Sequence, residues 1–150
     1  MHLSAEIRYP DADPGRVFAM LTDRAFQERK CAETGSLAYE VEITPTPDGG
    51  ARIATTRTLP TDQVPEFVRR FVGGEVRVRE HVLWGPADGA AERSGTVEVE
   101  IGGAPVRLAA QVRLAGVGDD VVETIDGELK ASVPLIGGKI EKSAEPAIRA

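Results

Sequence analysis

Residues 129–150, LKASVPLIGGKIEKSAEPAIRA, decide the fold, because they join an alternating run to a helical run through paired glycines and a lysine. A phosphate-binding loop would need two glycines that bracket four residues, followed by Lys-Ser or Lys-Thr, after a buried parallel strand. The segment PLIGGKIE has neither that spacing nor that hydroxyl. It therefore predicts the corner between a last strand and a last helix.

The residues of this corner support that interpretation. Pro134 cannot donate to a strand ladder and so ends the strand, while Gly137 and Gly138 allow a sharp turn. Pro146 is expected to kink or break the helix that follows. Apolar residues recur every four positions, as in an amphipathic helix, at Ile136, Ile140, Ala144 and Ile148.

Upstream of the corner, most of the chain alternates between apolar and polar residues, as half-buried strands do. The alternating segments are residues 2–9, 36–44, 51–59, 75–84, 92–101, 105–114 and 120–133. Several are separated by short turn sequences, such as PTPDGG at 45–50. Strands in hairpin succession predict an antiparallel meander with one face on a core.

Three other segments have helical character. Asp13 and Pro14 form a good N-cap and first turn for one short helix, and a second is expected from about residue 22 to Gly35. Residues 60–74, PTDQVPEFVRRFVGG, place apolar side chains at helical spacing. This third helix either covers the sheet or forms a lid over a cavity, and both interpretations stay open.

Composition limits the classes of function. With 150 residues, 41% apolar and 28% charged, the chain is expected to form one globular domain over residues 1–150. A net charge of −6 and scattered basic residues argue against a nucleic-acid partner. The single cysteine, Cys31, excludes an intrachain disulfide and a cysteine-based zinc site. No secretory signal and no apolar run of ~20 residues is visible, which predicts a cytoplasmic protein without membrane insertion.

The order of elements resembles the START-like (SRPBCC) helix-grip fold, and the chain is similar to a bacterial family of unknown function within that superfamily. The resemblance is carried by EIRYPDADPGRVFAMLTD (6–23), LPTDQVPEFVRRFVGGEVRVREHVLW (59–84) and VPLIGGKIE (133–141). It implies an α+β, Bet v 1-like fold in which a curved antiparallel sheet of about six to seven strands surrounds a C-terminal helix. The last helix is short for this fold, and a natural chain that continued past Ala150 would complete it.

No pattern supports catalysis by a metal or a nucleophile. His2 and His81 lack a second ligand at helical or hairpin spacing, and no serine sits on a hydrolase elbow. Glu98 and Glu100 share a strand face that is expected to be exposed. The sequence therefore predicts no catalytic residue, no metal site and no cofactor.

The resemblance also implies a cavity between the sheet and the C-terminal helix. The side chains expected to contact a ligand there are Tyr39, Arg57, Phe67, Phe71, Arg79, Trp84 and Ile140. Arg77, Arg79 and His81 alternate along one strand and form either a solvated face or a polar wall for an anionic head-group.

Three functions are compatible with the sequence. The first is non-enzymatic binding of a small hydrophobic or amphipathic molecule by a monomer or homodimer. The second is a polyketide cyclase- or isomerase-like enzyme that would need Tyr39, Arg57, Arg79 or His81 in the cavity as proton carriers or oxyanion donors. The third is a co-chaperone-like module that binds a partner protein.

Overall fold

The computed structural model describes residues 1–63, 69, 74–103 and 105–131. The helix predicted over residues 60–74 falls largely outside these residues, apart from a short 3-10 turn at Thr61–Gln63. The C-terminal helix predicted from residue 136 onward also lies outside the described residues, and so do Phe67, Phe71 and Ile140.

Seven strands form one antiparallel sheet, which confirms the predicted meander. Its spatial order is β1-β7-β6-β5-β4-β3-β2, so the first strand pairs with β7 and the two edges are β1 and β2. The strands are β1 His2–Tyr9, β2 Ala38–Pro45, β3 Ala51–Pro60, β4 Glu75–Trp84, β5 Arg93–Gly102, β6 Val106–Val117 and β7 Asp120–Ala131.

Two helices, α1 Pro14–Leu21 and α2 Arg24–Glu33, connect β1 to β2. Asp13 caps α1 by accepting a hydrogen bond of 3.0 Å from the backbone N–H of Arg16. Asp23 caps α2 in the same way, and Gly35 follows that helix with a φ of 79°. α1 therefore begins where Asp13 and Pro14 predict, and Gly35 follows the end of α2 as expected.

Alternation along the strands creates one buried face, called the inner face below. Apolar side chains from β3 to β7 meet there because period-2 alternation sends them to the same side of the sheet. Among those less than 4% exposed are Ile53, Leu59, Val76, Val78, Trp84, Val99, Leu108, Val112, Leu114, Val121 and Leu129.

Two glycines lie where neighbouring strands approach too closely for a side chain. A Cβ at Gly127 of β7 would stand 2.2 Å from the carbonyl oxygen of Ala109, and one at Gly95 of β5 would stand 2.3 Å from that of Leu83. Glycine inside a strand often marks such a tight bend. Gly95 and Gly127 thus permit the sheet to curve around its inner face.

Arg93 fastens one end of the sheet. Its side chain is 8% exposed and its guanidinium group lies 3.3 Å from the centre of the Phe18 ring on α1. Its Nη1 donates to the carbonyl oxygens of Gly49, at 3.2 Å, and Gly85, at 3.1 Å. One buried cation therefore links α1 to the β2–β3 turn and to the β4–β5 connection.

Candidate ligand cavity

A cavity of about 170 Å³ lies between the inner face of the sheet and the helices α1 and α2. Its described wall is mainly apolar, with contributions from six strands and both helices. The apolar lining residues are Leu3, Ala5, Ile7, Leu21, Phe26, Ile53, Val82, Trp84, Val97, Val99, Leu108 and Ile125.

Five polar side chains interrupt this apolar wall: Tyr9, Gln27, Lys30, Glu80 and Glu123. The phenol of Tyr9 donates a hydrogen bond of 2.8 Å to Oε1 of Glu123. The side-chain amide of Gln27 donates one of its two N–H groups at 2.7 Å to the backbone carbonyl of Leu21 in α1. A few polar groups on an apolar wall are the usual composition of a ligand site.

Burial controls the ionisation of the Tyr9–Glu123 pair. Glu123 is 9% exposed, and loss of hydration raises the pKa of its carboxyl group above the ordinary value; the nearby charge of Glu80 raises it further. The Tyr9 hydrogen bond and the Lys30 charge oppose that rise. Burial also raises the pKa of Tyr9, followed by the charge of Glu123, so the phenol stays protonated and donates.

Glu80 contributes a second carboxyl group from β4. It is partly buried and stands opposite Thr55 on β3 and Val99 on β5. Within the described part of the chain, it makes no hydrogen bond or salt bridge. Its carboxylate therefore lines the cavity without a fixed partner from residues 1–63, 69, 74–103 and 105–131.

The predicted site residues occupy different places. Trp84 is 2% exposed and lines the cavity. Arg57 is 4% exposed, but its Nη1 donates at 3.2 Å to Thr34, and it is not among the described lining residues. Tyr39 lies on the edge strand β2 at 39% exposure, and Arg79 is exposed on the face opposite the core.

The strand face that carries Arg79 is solvated. Arg77 and His81 are exposed beside it, so these three side chains do not line the cavity. Of the four side chains named for a cyclase-like enzyme, only Arg57 is buried. The alternation along β4 accounts for this exposure. Arg77, Arg79 and His81 lie on the face opposite to that of the buried Val76 and Val78.

Sequence reasoning missed Tyr9, Glu80 and Glu123. A usable signal was present, since each occupies the apolar phase of its strand. Glu80 alternates with Val78 and Val82, and Glu123 with Val121 and Ile125. An ionisable residue in the buried phase of a strand indicates a functional or paired group.

Other types of site find little support in the described ranges. No group of three or more His, Cys, Asp or Glu side chains is arranged to hold a metal ion in those ranges. None of their helices has the length and apolar character to cross a bilayer. Cys31 is 2% exposed on α2 and burial raises the pKa of its thiol, as expected for a small buried residue.

A family model described as "Protein of unknown function (DUF2505)" matches residues 4–150. The chain belongs to the DUF2505 family. No curated protein sequence matches this DUF2505 chain significantly.

Solved structures similar to this DUF2505 chain share its fold at low sequence identity. TTHA0849 from Thermus thermophilus is 16% identical with a TM-score of 0.59, and the match covers 99% of this chain and 87% of that one. A START superfamily protein from Mycobacterium smegmatis is 12% identical with a TM-score of 0.54, over 99% and 89%. The Zhui aromatase/cyclase from Streptomyces sp. R1128 is 11% identical with a TM-score of 0.55, over 99% and 84%.

These likenesses confirm the predicted START-like, helix-grip type of α+β fold with its curved seven-stranded antiparallel sheet. Folds of this type commonly bind hydrophobic ligands. At such identities the likeness concerns the fold alone and assigns no function to the DUF2505 chain.

Proposed function

We propose that this DUF2505 protein binds a small hydrophobic or amphipathic molecule in its inner cavity and does not transform it. The main support for this proposal is the cavity, because about 170 Å³ of space with a mainly apolar wall lies against a buried face of the sheet. Ligand sites typically combine an apolar wall with a few placed polar groups. Glu80 and the Tyr9–Glu123 pair would provide those polar groups.

The size of the cavity sets the scale of the ligand. An apolar cavity of about 150 Å³ engineered into another protein binds benzene. We therefore infer a ligand built around one ring or a short branched chain, rather than a sterol. We further take residues 1–150 to form one cytoplasmic START-like domain, monomeric or homodimeric, as the sequence predicts.

Ligand binding can be measured by the fluorescence of Trp84, because it is the single tryptophan of the chain and lines the cavity. Titration with propylbenzene, a neutral single-ring probe, is expected to change the tryptophan emission in a saturable way. Native mass spectrometry of freshly purified protein would detect a molecule that co-purifies. No saturable change together with no bound molecule would refute the proposal.

A pair of matched variants separates binding in the cavity from binding at the surface. Ala5→Phe places a ring into the cavity wall and is expected to abolish the Trp84 response. Ala109→Phe adds the same ring on the exposed face of β6 and is expected to leave the response intact. Equal responses in the two variants would place the probe outside the cavity.

A polyketide cyclase- or isomerase-like enzyme is the second candidate, and the buried Tyr9–Glu123 pair favours it. A carboxyl group with a raised pKa beside a phenol can carry protons in an apolar site. A ligand recovered unchanged after long incubation would support simple binding. Conversion that stops in Glu123→Gln would support the enzyme. The partner-binding module stays a hypothesis.

A further inference from the structure

Among the residues that the structure describes, the buried polar part of the cavity wall offers mainly hydrogen-bond acceptors. Glu80 and Glu123 each present a carboxyl group to the cavity. The phenol proton of Tyr9 is already donated to Glu123, and one of the two amide N–H groups of Gln27 is donated to the carbonyl of Leu21. A ligand that enters this space therefore meets mainly groups that accept.

In the described part of the chain, neither Lys30 nor Arg57 forms a salt bridge with these carboxyl groups. Lys30 lines the cavity but is exposed, so water and salt screen its charge. Arg57 is buried, yet its guanidinium group donates to Thr34 and is not among the described lining residues. Glu80 forms no salt bridge with any residue that the structure describes. The wall thus contains a partly buried carboxylate that has no fixed counterion among the described residues.

From this arrangement we propose that the ligand is a small apolar molecule with a protonated amine, which the cavity binds at Glu80 and Glu123. The inference rests on the proposed binding function and names its ligand class. Ammonium N–H groups donate charge-assisted hydrogen bonds to carboxylates, which are stronger than neutral ones. A carboxylate ligand would instead add a like charge beside two carboxyl groups in apolar surroundings.

This polarity is the opposite of the one predicted for an anionic head-group. The polar wall for an anionic head-group was one of two alternatives and required Arg77, Arg79 and His81, which are all exposed on the outer face of the sheet. The inner face offers carboxyl groups instead, because Glu80 occupies the inward phase of the same strand. The two adjacent residues Arg79 and Glu80 therefore point their opposite charges to opposite faces.

Three probes with the same ring and a similar short chain test the inference: phenethylamine, propylbenzene and 3-phenylpropanoate. Their dissociation constants would be measured by calorimetry and by Trp84 emission at pH 7 and low salt. We expect phenethylamine to bind at least about tenfold more tightly than 3-phenylpropanoate, as one charge-assisted hydrogen bond allows. Tighter or equal binding of 3-phenylpropanoate would overturn the inference.

Two substitutions locate the preference. Glu80→Gln is expected to reduce the amine-over-carboxylate ratio about tenfold. Glu98→Gln makes the same change on the exposed outer face and should leave the ratio intact. An unchanged ratio in both Glu80→Gln and Glu123→Gln would contradict the inference.

The probes also separate the two proposals from each other. Binding of propylbenzene without a preference for the amine would agree with the proposed binding function and contradict the proposed ligand class. Failure of all three probes would remove the cavity function and the ligand class together.

Discussion

The phenol oxygen of Tyr9 lies 2.8 Å from a carboxyl oxygen of Glu123, across the pair of strands that joins β1 to β7. The register sets Tyr9 opposite Val121 and Ile7 opposite Glu123, so the bonded side chains are diagonal neighbours. One hydrogen bond therefore links the N-terminal strand to β7 at the cavity wall. It also ties the stability of the sheet to the ionisation of Glu123.

Glu123→Gln is expected to change how stability depends on pH. Because the pKa of Glu123 is raised in the folded state, its contribution is fully present below the unfolded value of about 4.3 and is lost as pH rises through the folded value. A glutamine stays neutral throughout. We therefore expect the variant to match the parent near pH 4 and to exceed its free energy of unfolding by about 1 kcal/mol at pH 8.

Urea unfolding at several pH values from 4 to 8 would measure this difference. Asp48 and Asp120 have lowered pKa values, so their contributions run in the opposite direction, but they are common to both proteins and cancel. Glu98→Gln, on the exposed face, provides the control. A parent and a Glu123→Gln variant with parallel pH profiles would contradict the burial argument.

Tyr9→Phe is expected to lower the free energy of unfolding, whereas Glu123→Gln is expected to raise it at high pH. Removal of the phenol leaves the buried carboxylate without its donor and raises the pKa of Glu123 further. We expect a loss of about 1–2 kcal/mol in the free energy of unfolding at pH 7 and a smaller loss near pH 4, where the carboxyl group is neutral. In the Glu123→Gln background the same substitution should cost less, and equal costs would exclude a specific interaction.

The sequence predicted the strands well because period-2 alternation and turn residues are local properties. β1 and β4 have the predicted bounds, 2–9 and 75–84, and Asp13 and Asp23 cap the helices as expected. The resemblance then supplied the curved sheet.

The site was harder to predict, because its contacts are far apart in the sequence. Tyr9 and Glu123 are 114 positions apart, and only the register of β1 on β7 brings them together. Alternation also does not reveal which strand lies at the edge of the sheet, where the buried core ends. Tyr39 pairs with the buried Arg57, yet it lies on an edge strand and remains 39% exposed.

Arg93→Lys is expected to destabilise the protein although it preserves the charge. A guanidinium group can bond to the carbonyls of Gly49 and Gly85 while it stacks on Phe18, whereas a single ammonium cannot make all three contacts. We expect a loss of about 1–2 kcal/mol in urea unfolding. Arg113→Lys, at an ion pair in which the Arg113 side chain is 47% exposed and that of Glu92 22%, should cost less, about 0.5 kcal/mol.

Equal effects at the two arginines would show that the buried contacts of Arg93 do not stabilise the fold. The comparison is matched because both side chains are arginines on neighbouring strands, and both substitutions leave the net charge unchanged. Arg93 and Arg113 differ in burial and in the backbone carbonyls that only Arg93 binds.

Gly127→Ala tests whether close approach of the strands shapes the cavity wall. The new methyl group would stand 2.2 Å from the carbonyl oxygen of Ala109 and 2.5 Å from the Cα of Ala110, so β7 must move away from β6. We expect a loss of about 1–3 kcal/mol in the free energy of unfolding. Gly89→Ala is the control, because nothing lies within 4 Å of the added carbon there. Since Gly127 and Glu123 share β7, the variant should also weaken the Trp84 response to propylbenzene. Full stability with an unchanged response would mean that the strands tolerate the methyl group. Gly127 would then not determine the curvature of the sheet.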